Sequence, residues 1–401
     1  MDGTARPEQL PRRGAGAAVA LAPYSDRMVF AAACAGMFAF AVTQSCVAAI
    51  LPPVIRRFEM DLVAAGALLT LLTFGVLLGS LVFGPVVDRY GYRGLLFLCA
   101  ALLLAGVEWM ALASSLGSLR CAVVLIGFGG GVINGAASAL VSDISTEGRG
   151  ARLSVLGIFF GIGAMGAPAA VGALLHRFGY GPVVAGLGAV VIPFLVLTGV
   201  IRFPVPKRSE GISMGEALQL LRDPALLLLG LMLLLESGLE TTMGGWTAPF
   251  FQAEYGIRTD HALLYITLFW SGLMLARLLH GTALHSLPIF LAISLSLATA
   301  VTGGAVMTLA PHVAVATVGC FLVGVGCGGV FPLVLALVGD RYPGSSGTAF
   351  GVVFTMALLG GMFFPFAAGV LGSAFGMRVA LAMVPVGLAS SLGLLAAVRA
   401  R

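Results

Sequence analysis

The segment Leu226-Leu-Leu-Leu-Gly-Leu-Met-Leu-Leu-Leu235-Glu236-Ser-Gly-Leu-Glu240 carries the argument about fold. Its first part is a continuous apolar run broken only by Gly230. A membrane β-barrel strand would alternate apolar and polar residues, and this run does not. A helix crossing a bilayer needs about 20 apolar residues, and runs of this kind recur along the whole chain. Of 401 residues, 59% are hydrophobic and only 10% charged, and the mean hydropathy is +1.05. A soluble domain carries about 25% charged residues, so a water-exposed surface could not be built from this composition. Disordered chains are poor in apolar residues and rich in charge, so disorder is excluded as well. The composition predicts an all-α membrane protein.

At about 20 residues per span the chain has room for about twelve. The apolar runs predict helices near 28–53, 62–84, 95–115, 120–143, 153–175 and 182–201. A second set falls near 225–250, 259–281, 287–309, 312–339, 346–372 and 377–398. This divides the chain into a tail (1–27), a six-helix bundle (28–201), a polar central loop (202–224) and a second bundle (225–401). Within the loop, 214–221 is expected to form a short amphipathic helix on the membrane surface. No secretory signal pattern is read in the first 26 residues. Lys and Arg set the orientation. With both termini in the cytoplasm, only Arg56, Arg57, Arg120, Arg177, Arg258 and Arg378 of the 22 basic residues face outward. The net charge of +5 is therefore a topology signal, and no nucleic-acid partner is expected. The expected setting is the inner or plasma membrane, with the lipid bilayer as partner and the chain a monomer.

A shift of 197 positions lays one half on the other. Gly127, Gly129 and Gly131 fall on Gly324, Gly326 and Gly328, and Asp143 falls on Asp340. Gly163 meets Gly360, Pro168 meets Pro365, Gly172 meets Gly369, and Phe178-Gly179 meets Phe375-Gly376. An even number of spans separates the copies, so they share one orientation and are related by an axis along the membrane normal. Two such bundles can rock about a site between them, which is the physical basis of alternating access.

The segment Gly79-Ser-Leu-Val-Phe-Gly84-Pro-Val-Val-Asp88-Arg89-Tyr-Gly91-Tyr-Arg93 joins spans two and three. It resembles the signature loop of the major facilitator superfamily, G-x-L-x-x-G-x-x-x-D-R-x-G-x-R. The resemblance implies twelve transmembrane helices in two six-helix bundles related by pseudo-two-fold symmetry. Gly91 suits a tight turn, and Asp88 at a helix end can pair with Arg93 or with a helix N-terminus of the facing half. Asp88, Arg89 and Arg93 are thus expected to form a latch; the alternative is a solvated turn with topology-setting arginines. Three segments of the second half resemble the branch of fucose-type sugar:proton symporters and sodium-dependent glucose transporter relatives. They are Glu240–Trp246, Phe269–Arg277 and Gly324–Pro332. Members of the fucose type carry acidic residues in spans one and four, where this chain has Ala48 or Ala49 and Asn134. The run Gly163–Gly172 loosely resembles a span-five pattern of drug:proton antiporters. The Arg that such antiporters carry in span four is Val123 here, and the copy at Gly360–Gly369 suggests packing and bending instead.

Charge at membrane depth has an insertion cost of about 2.5–3.5 kcal/mol and persists with a partner, a wet cavity or a function. Glu236 and Glu240 lie four residues apart on one helix face near mid-membrane. Two close carboxylates in low dielectric tend to hold one proton between them. Glu240 is read as a coupling-ion or substrate-hydroxyl acceptor, or as a hydrogen-bonded structural glutamate, with Glu236 beside it. Asn134 and Ser138, four apart on span four, and Gln44 in a polar cluster of span one suit a polyhydroxylated ligand, because amides and hydroxyls both donate and accept. Interhelical hydrogen bonding is the alternative. Trp270 is a candidate for stacking on a sugar face, Trp246 a partial match to a membrane-interface anchor, and Arg277 a snorkelling or latch residue at the end of its span. Asp143 and Asp340, near Arg149, Arg152 and Arg341, are expected to form inner-gate ion pairs.

No phosphate loop is present, so ATP hydrolysis is not expected. The five histidines and six cysteines lack metal-ligand spacing, and neither an enzyme active site nor a cofactor is expected. These features predict a secondary active transporter of a small polar solute, favouring a sugar or similar compound taken up with H⁺ or Na⁺. The alternatives are proton-driven efflux of a drug or metabolite, and a non-transporting scaffold or sensor that kept the fold.

Overall fold

The structure is a computed structural model that describes residues 24–145, 149–205, 222–284, 286–342 and 346–400, without the side chains of Asp88, 149–151 and 346–348. The surface helix expected over 214–221 and the side chains of Asp88 and Arg149 lie outside the described residues.

Twelve helices among the described residues are long and apolar enough to cross a membrane. They are spans one (Asp26–Ala49), two (Leu62–Val87), three (Tyr92–Leu112), four (Leu116–Ile144), five (Arg152–Phe178) and six (Tyr180–Val200). Then come spans seven (Pro224–Tyr255), eight (Thr259–Thr282), nine (Ile289–Leu309), ten (Val313–Arg341), eleven (Ala349–Phe375) and twelve (Met377–Arg399). The described residues contain no strand. The boundaries fall within a few residues of those read from hydrophobicity. Two differences have local causes. Pro52 and Pro53 start a short separate helix, Leu51–Arg57, because proline suits the first helical turn. Span six is interrupted by a 3₁₀ turn over Ala189–Val191, just before Pro193. The expected tight turn is present at Gly91, with φ +78°, a conformation that penalises any side chain.

Glycine sets the packing of each bundle, and the internal repeat predicts where. Gly127 lies against the Leu72 carbonyl and Gly131 against that of Val76, joining spans four and two. Their copies Gly324 and Gly328 lie against the carbonyls of Phe269 and Leu273, joining spans ten and eight in the same register. Gly106 and Gly303 repeat the pattern between spans three and four and between nine and ten. Gly163 and Gly360 seat spans five and eleven on the Phe38 and Leu234 carbonyls of spans one and seven. The glycine and proline pattern of span five is therefore a packing device used in both halves.

The two halves meet along two seams, span two with eleven and span five with eight, which the pseudo-two-fold exchanges. An even number of spans places both ends of the described chain on one side, here the terminal face, with the far face opposite. From the far face inward, Arg56 Nη1 donates to Thr259 Oγ1 at 2.8 Å, and Gly369 and Gly172 lie against the Leu62 and Asp260 carbonyls. Deeper, Thr70 Oγ1 donates to the Met362 carbonyl at 2.7 Å. Thr267 and Ser271 reach the Met165 carbonyl and sulfur at 3.2 and 3.3 Å. Cross-half hydrogen bonds with both partners described stop near mid-depth. On the same four helices toward the terminal face, a methyl added at Gly84, Gly157, Gly281 or Gly351 would meet no atom within 4 Å. The seams are sealed at the far face and open at the terminal one.

Candidate functional site

Span seven begins at Asp223, whose carboxylate caps the helix by accepting from the Ala225 amide at 2.8 Å. Glu240 stands at the middle of the 32-residue helix and Glu236 one turn earlier. One face of this helix is committed to span eleven, since Gly238 lies against the Gly360 carbonyl. The glutamates point elsewhere, toward spans eight and ten. Glu236 is fully buried, and Glu240 is partly exposed. The two carboxylates are close enough to act on each other, and the Arg277 guanidinium acts electrostatically on both. Cys327 of span ten borders the same pair.

Three polar atoms of this cluster are unsatisfied. Both carboxylate oxygens of Glu236 and Nε of Arg277 are buried without a hydrogen-bond partner among the described residues. Native buried polar atoms are nearly always paired, so such a group calls for a role. Two carboxylates and one guanidinium carry one net negative charge, and a single proton shared by the carboxylates makes the cluster neutral. A low-dielectric site strongly favours the neutral form. The arrangement can therefore hold one exchangeable positive charge, a proton or a small cation.

Arg277 was expected at the end of its span as a snorkelling or latch residue, and the structure corrects that reading. Span eight packs on span ten through Gly272, which lies against the Phe321 carbonyl. This brings Arg277 inward, beside the glutamates. Helix-end position alone suggested otherwise because a tertiary contact decides which way the side chain turns.

The repeat makes the cluster stand out. Gly163 meets the Phe38 carbonyl and Gly360 that of Leu234, so spans one and seven correspond with a shift of 196. Glu240 then matches Gln44, Glu236 matches Phe40, and Cys327 matches Gly130. In the first half Gly130 packs on the Phe40 ring, an apolar contact. At the equivalent place the second half carries the charged cluster. The symmetric scaffold does not need this charge.

The remaining expected residues divide. Gln44 is partly exposed, and its Oε1 is buried without a partner. Asn134 and Ser138 are partly exposed on span four, and neither makes a side-chain hydrogen bond among the described residues. They are thus available to a ligand rather than tied to another helix. Trp270 instead bridges the halves, with its ring 6.1 Å from Phe160 and 5.4 Å from Phe269, and Phe160 in turn lies 5.8 Å from Phe40. Trp246 is fully buried and donates to the Pro365 carbonyl at 2.9 Å, so it is no interface anchor. Of the loop residues, Arg89 is exposed and stacks over Tyr90 at 5.4 Å. Arg93 donates to the Gly199 carbonyl, closing the end of span six in its own half. The side chain of Asp88, the expected partner of Arg93 in the latch, lies outside the described residues. Asp143 accepts from Tyr92 at 2.7 Å within its own half, and Asp340 is exposed. The side chain of Arg149, one expected partner of Asp143, lies outside the described residues.

Three contacts escaped sequence reasoning: Arg56–Thr259 across the halves, Arg378–Glu254 at 2.6 Å, and Tyr342–Asp223 at 2.7 Å. Only the last had a sequence signal, an Asp just before a helix. Burial raises the Asp223 carboxyl, but hydrogen bonds from Tyr342 and the Ala225 and Leu226 amides, with the Arg341 charge, outweigh it and hold the carboxyl below its ordinary value. Burial and the bond to Asp223 push the Tyr342 phenol up to about 12. No group of three or more metal-ligating side chains occurs among the described residues.

Comparison with known proteins places this geometry. The chain is 31% identical over 119 residues to the probable plastidic glucose transporter 1 of Arabidopsis thaliana. That match covers 28% of this chain and spans only 22% of the relative's length. A bacterial homolog of the human lysosomal transporter Spinster, solved in an inward-facing and occupied conformation, superposes with a TM-score of 0.75 at 15% identity. It covers 93% of this chain and 97% of that one. A D-xylose-proton symporter superposes with the same score at 16% identity, covering 92% and 97%. At such identities these structures establish the fold alone. The Major Facilitator Superfamily profile matches residues 33–365, most of the chain. The chain belongs to the Major Facilitator Superfamily.

Proposed function

We propose that the protein is a secondary active transporter that moves a small polar solute by alternating access, with a sugar or similar polyhydroxylated compound as cargo and H⁺ or Na⁺ as coupling ion. The observation that carries this reading is the Glu236–Glu240–Arg277 cluster, a set of charged groups at mid-membrane in one half only, with both Glu236 oxygens buried and unpaired among the described residues. A scaffold or sensor has no need to bear the insertion cost of these charges. The coupling ion binds at the glutamate pair and brings the cluster to neutrality. Gln44, Asn134 and Ser138 offer the cargo donors and acceptors from the opposite half, matched to hydroxyl groups. Trp270 sits where the halves touch and closes over the cargo from the far side. The stretch similar to a glucose transporter supports the sugar reading. The excess of Lys and Arg at the terminal face puts that face in the cytoplasm of the inner or plasma membrane, so the conformation described is inward-open.

Purified protein in liposomes should accumulate a labelled hexose or pentose when a proton or sodium gradient is imposed. Flux equal to that of protein-free liposomes overturns the uptake reading, and movement only against an inward gradient indicates efflux. Glu240→Gln should abolish coupled accumulation while the protein still folds; unchanged accumulation makes that glutamate structural.

A further inference from the structure

A cavity lies away from the cluster, on the lipid-facing side of the first bundle. It is a groove of about 1010 Å³ whose walls come from span two (Ala67, Leu71), span four (Val124, Phe128) and, across the seam, Phe366 of span eleven. Its lining is almost wholly apolar apart from one end, where Arg120 stands. Phe366 is more than one-third exposed although large and apolar, so this chain leaves the groove uncovered.

We propose that the groove is a binding site for one acyl chain of an anionic phospholipid, with Arg120 holding the headgroup phosphate. Three observations support this occupant. The first is length. On span two the groove runs from Ala67 to Leu78, roughly 16 Å at about 1.5 Å per residue. One leaflet of hydrocarbon is about 15 Å deep, so the groove accepts one chain and ends where the leaflet ends. The second is charge. Arg120 is exposed and has no acidic partner among the described residues, and it lies four residues from the start of span four, at headgroup level. The third is the neighbouring anchor: Trp109 also lines this end and donates to Ser118 at 2.8 Å, as indoles do at the membrane interface.

The site has a conformational consequence. Its floor adjoins the seam at which Gly66 meets the Pro365 carbonyl and Thr70 meets that of Met362. One wall belongs to each half, so the groove is complete only while the far face is sealed. A bound chain therefore favours the sealed far face.

Native mass spectrometry of the purified full chain, delipidated and then supplied with equal phosphatidylglycerol and phosphatidylcholine, tests this. Wild type should retain one phosphatidylglycerol with about fivefold preference, and Arg120→Gln should lose that preference. Cys121 lines the groove and is the exposed one of the six cysteines, all of which lie among the described residues. Capping it with N-ethylmaleimide should release the retained lipid from otherwise unaltered protein. Equal retention of both lipids, a preference that survives Arg120→Gln, or a lipid that stays after Cys121 is capped each overturns the assignment.

Discussion

Removing Arg277 should destabilise the protein through the glutamates it faces, and removing Glu240 as well should restore much of the loss. No ion pair of 4 Å or less joins Arg277 to either carboxylate among the described residues, although it acts on both. Unit charges about 6 Å apart at an effective dielectric of about 20 interact by roughly 3 kcal/mol. Arg277 is partly exposed, and solvent screening lowers this to about 2 kcal/mol. Arg277→Gln leaves the carboxylates without their counter-charge, so it should lower stability by about that amount. Adding Glu240→Gln removes the repulsion that remains, and the double variant should be more stable than Arg277→Gln alone. The assay is thermal unfolding followed with a thiol-reactive dye, which reads the unmasking of the five buried cysteines. Transport is not needed for the readout, so it isolates the electrostatics from the cargo. If Arg277→Gln melts with wild type, or if the double variant is no more stable than the single, the three residues do not act as one charge cluster. A coupling below about 0.5 kcal/mol is what independent sites give.

Three further perturbations test the framework. Gly131→Ala should destabilise by about 1–3 kcal/mol, because the new methyl meets the Val76 carbonyl, whereas Gly157→Ala meets empty space and should leave the melting temperature unchanged; equal effects would deny the packing register. Arg56→Gln removes the outermost cross-half hydrogen bond, so a cysteine placed at Thr73 should label faster from the far face, and an unchanged rate would dismiss Arg56 as a gate. Tyr342→Phe should cost about 1 kcal/mol and blunt the acid dependence of stability. The Asp223 carboxyl is held below its ordinary value of 3.8, so its contribution is present above that pH and disappears as pH falls through the lower folded value; an identical acid-unfolding profile for the variant would refute the clamp.

The path from sequence to site was uneven for physical reasons. Leu226–Leu235 could only be a membrane helix, since continuous apolar surface has no other stable solvent. Gly127 and Gly131 announced close packing by recurring as Gly324 and Gly328, and the structure places both pairs against equivalent carbonyls. Glu236 and Glu240 were legible as a pair because a four-residue spacing sets side chains on one helix face. Arg277 was misread, because helix-end position says nothing of which neighbour a long side chain turns toward. The bonds of Arg93 to the Gly199 carbonyl and of Asp143 to Tyr92 were not legible, because each partner lies far away in the chain.

By itself, then, the sequence determined the solvent, the number of spans, the two-fold repeat and the presence of acid at mid-membrane. Each of these follows from composition or short-range periodicity, which a chain carries whatever its partners. Tertiary structure alone decided that Arg277 joins the glutamates, that Trp270 bridges the halves, and that the seams are sealed at the far face and open at the terminal one. Those outcomes depend on which helices pack together and at what tilt. Such long-range packing is fixed by the closest approach of glycine-bearing faces far apart in the chain, and local pattern does not encode it.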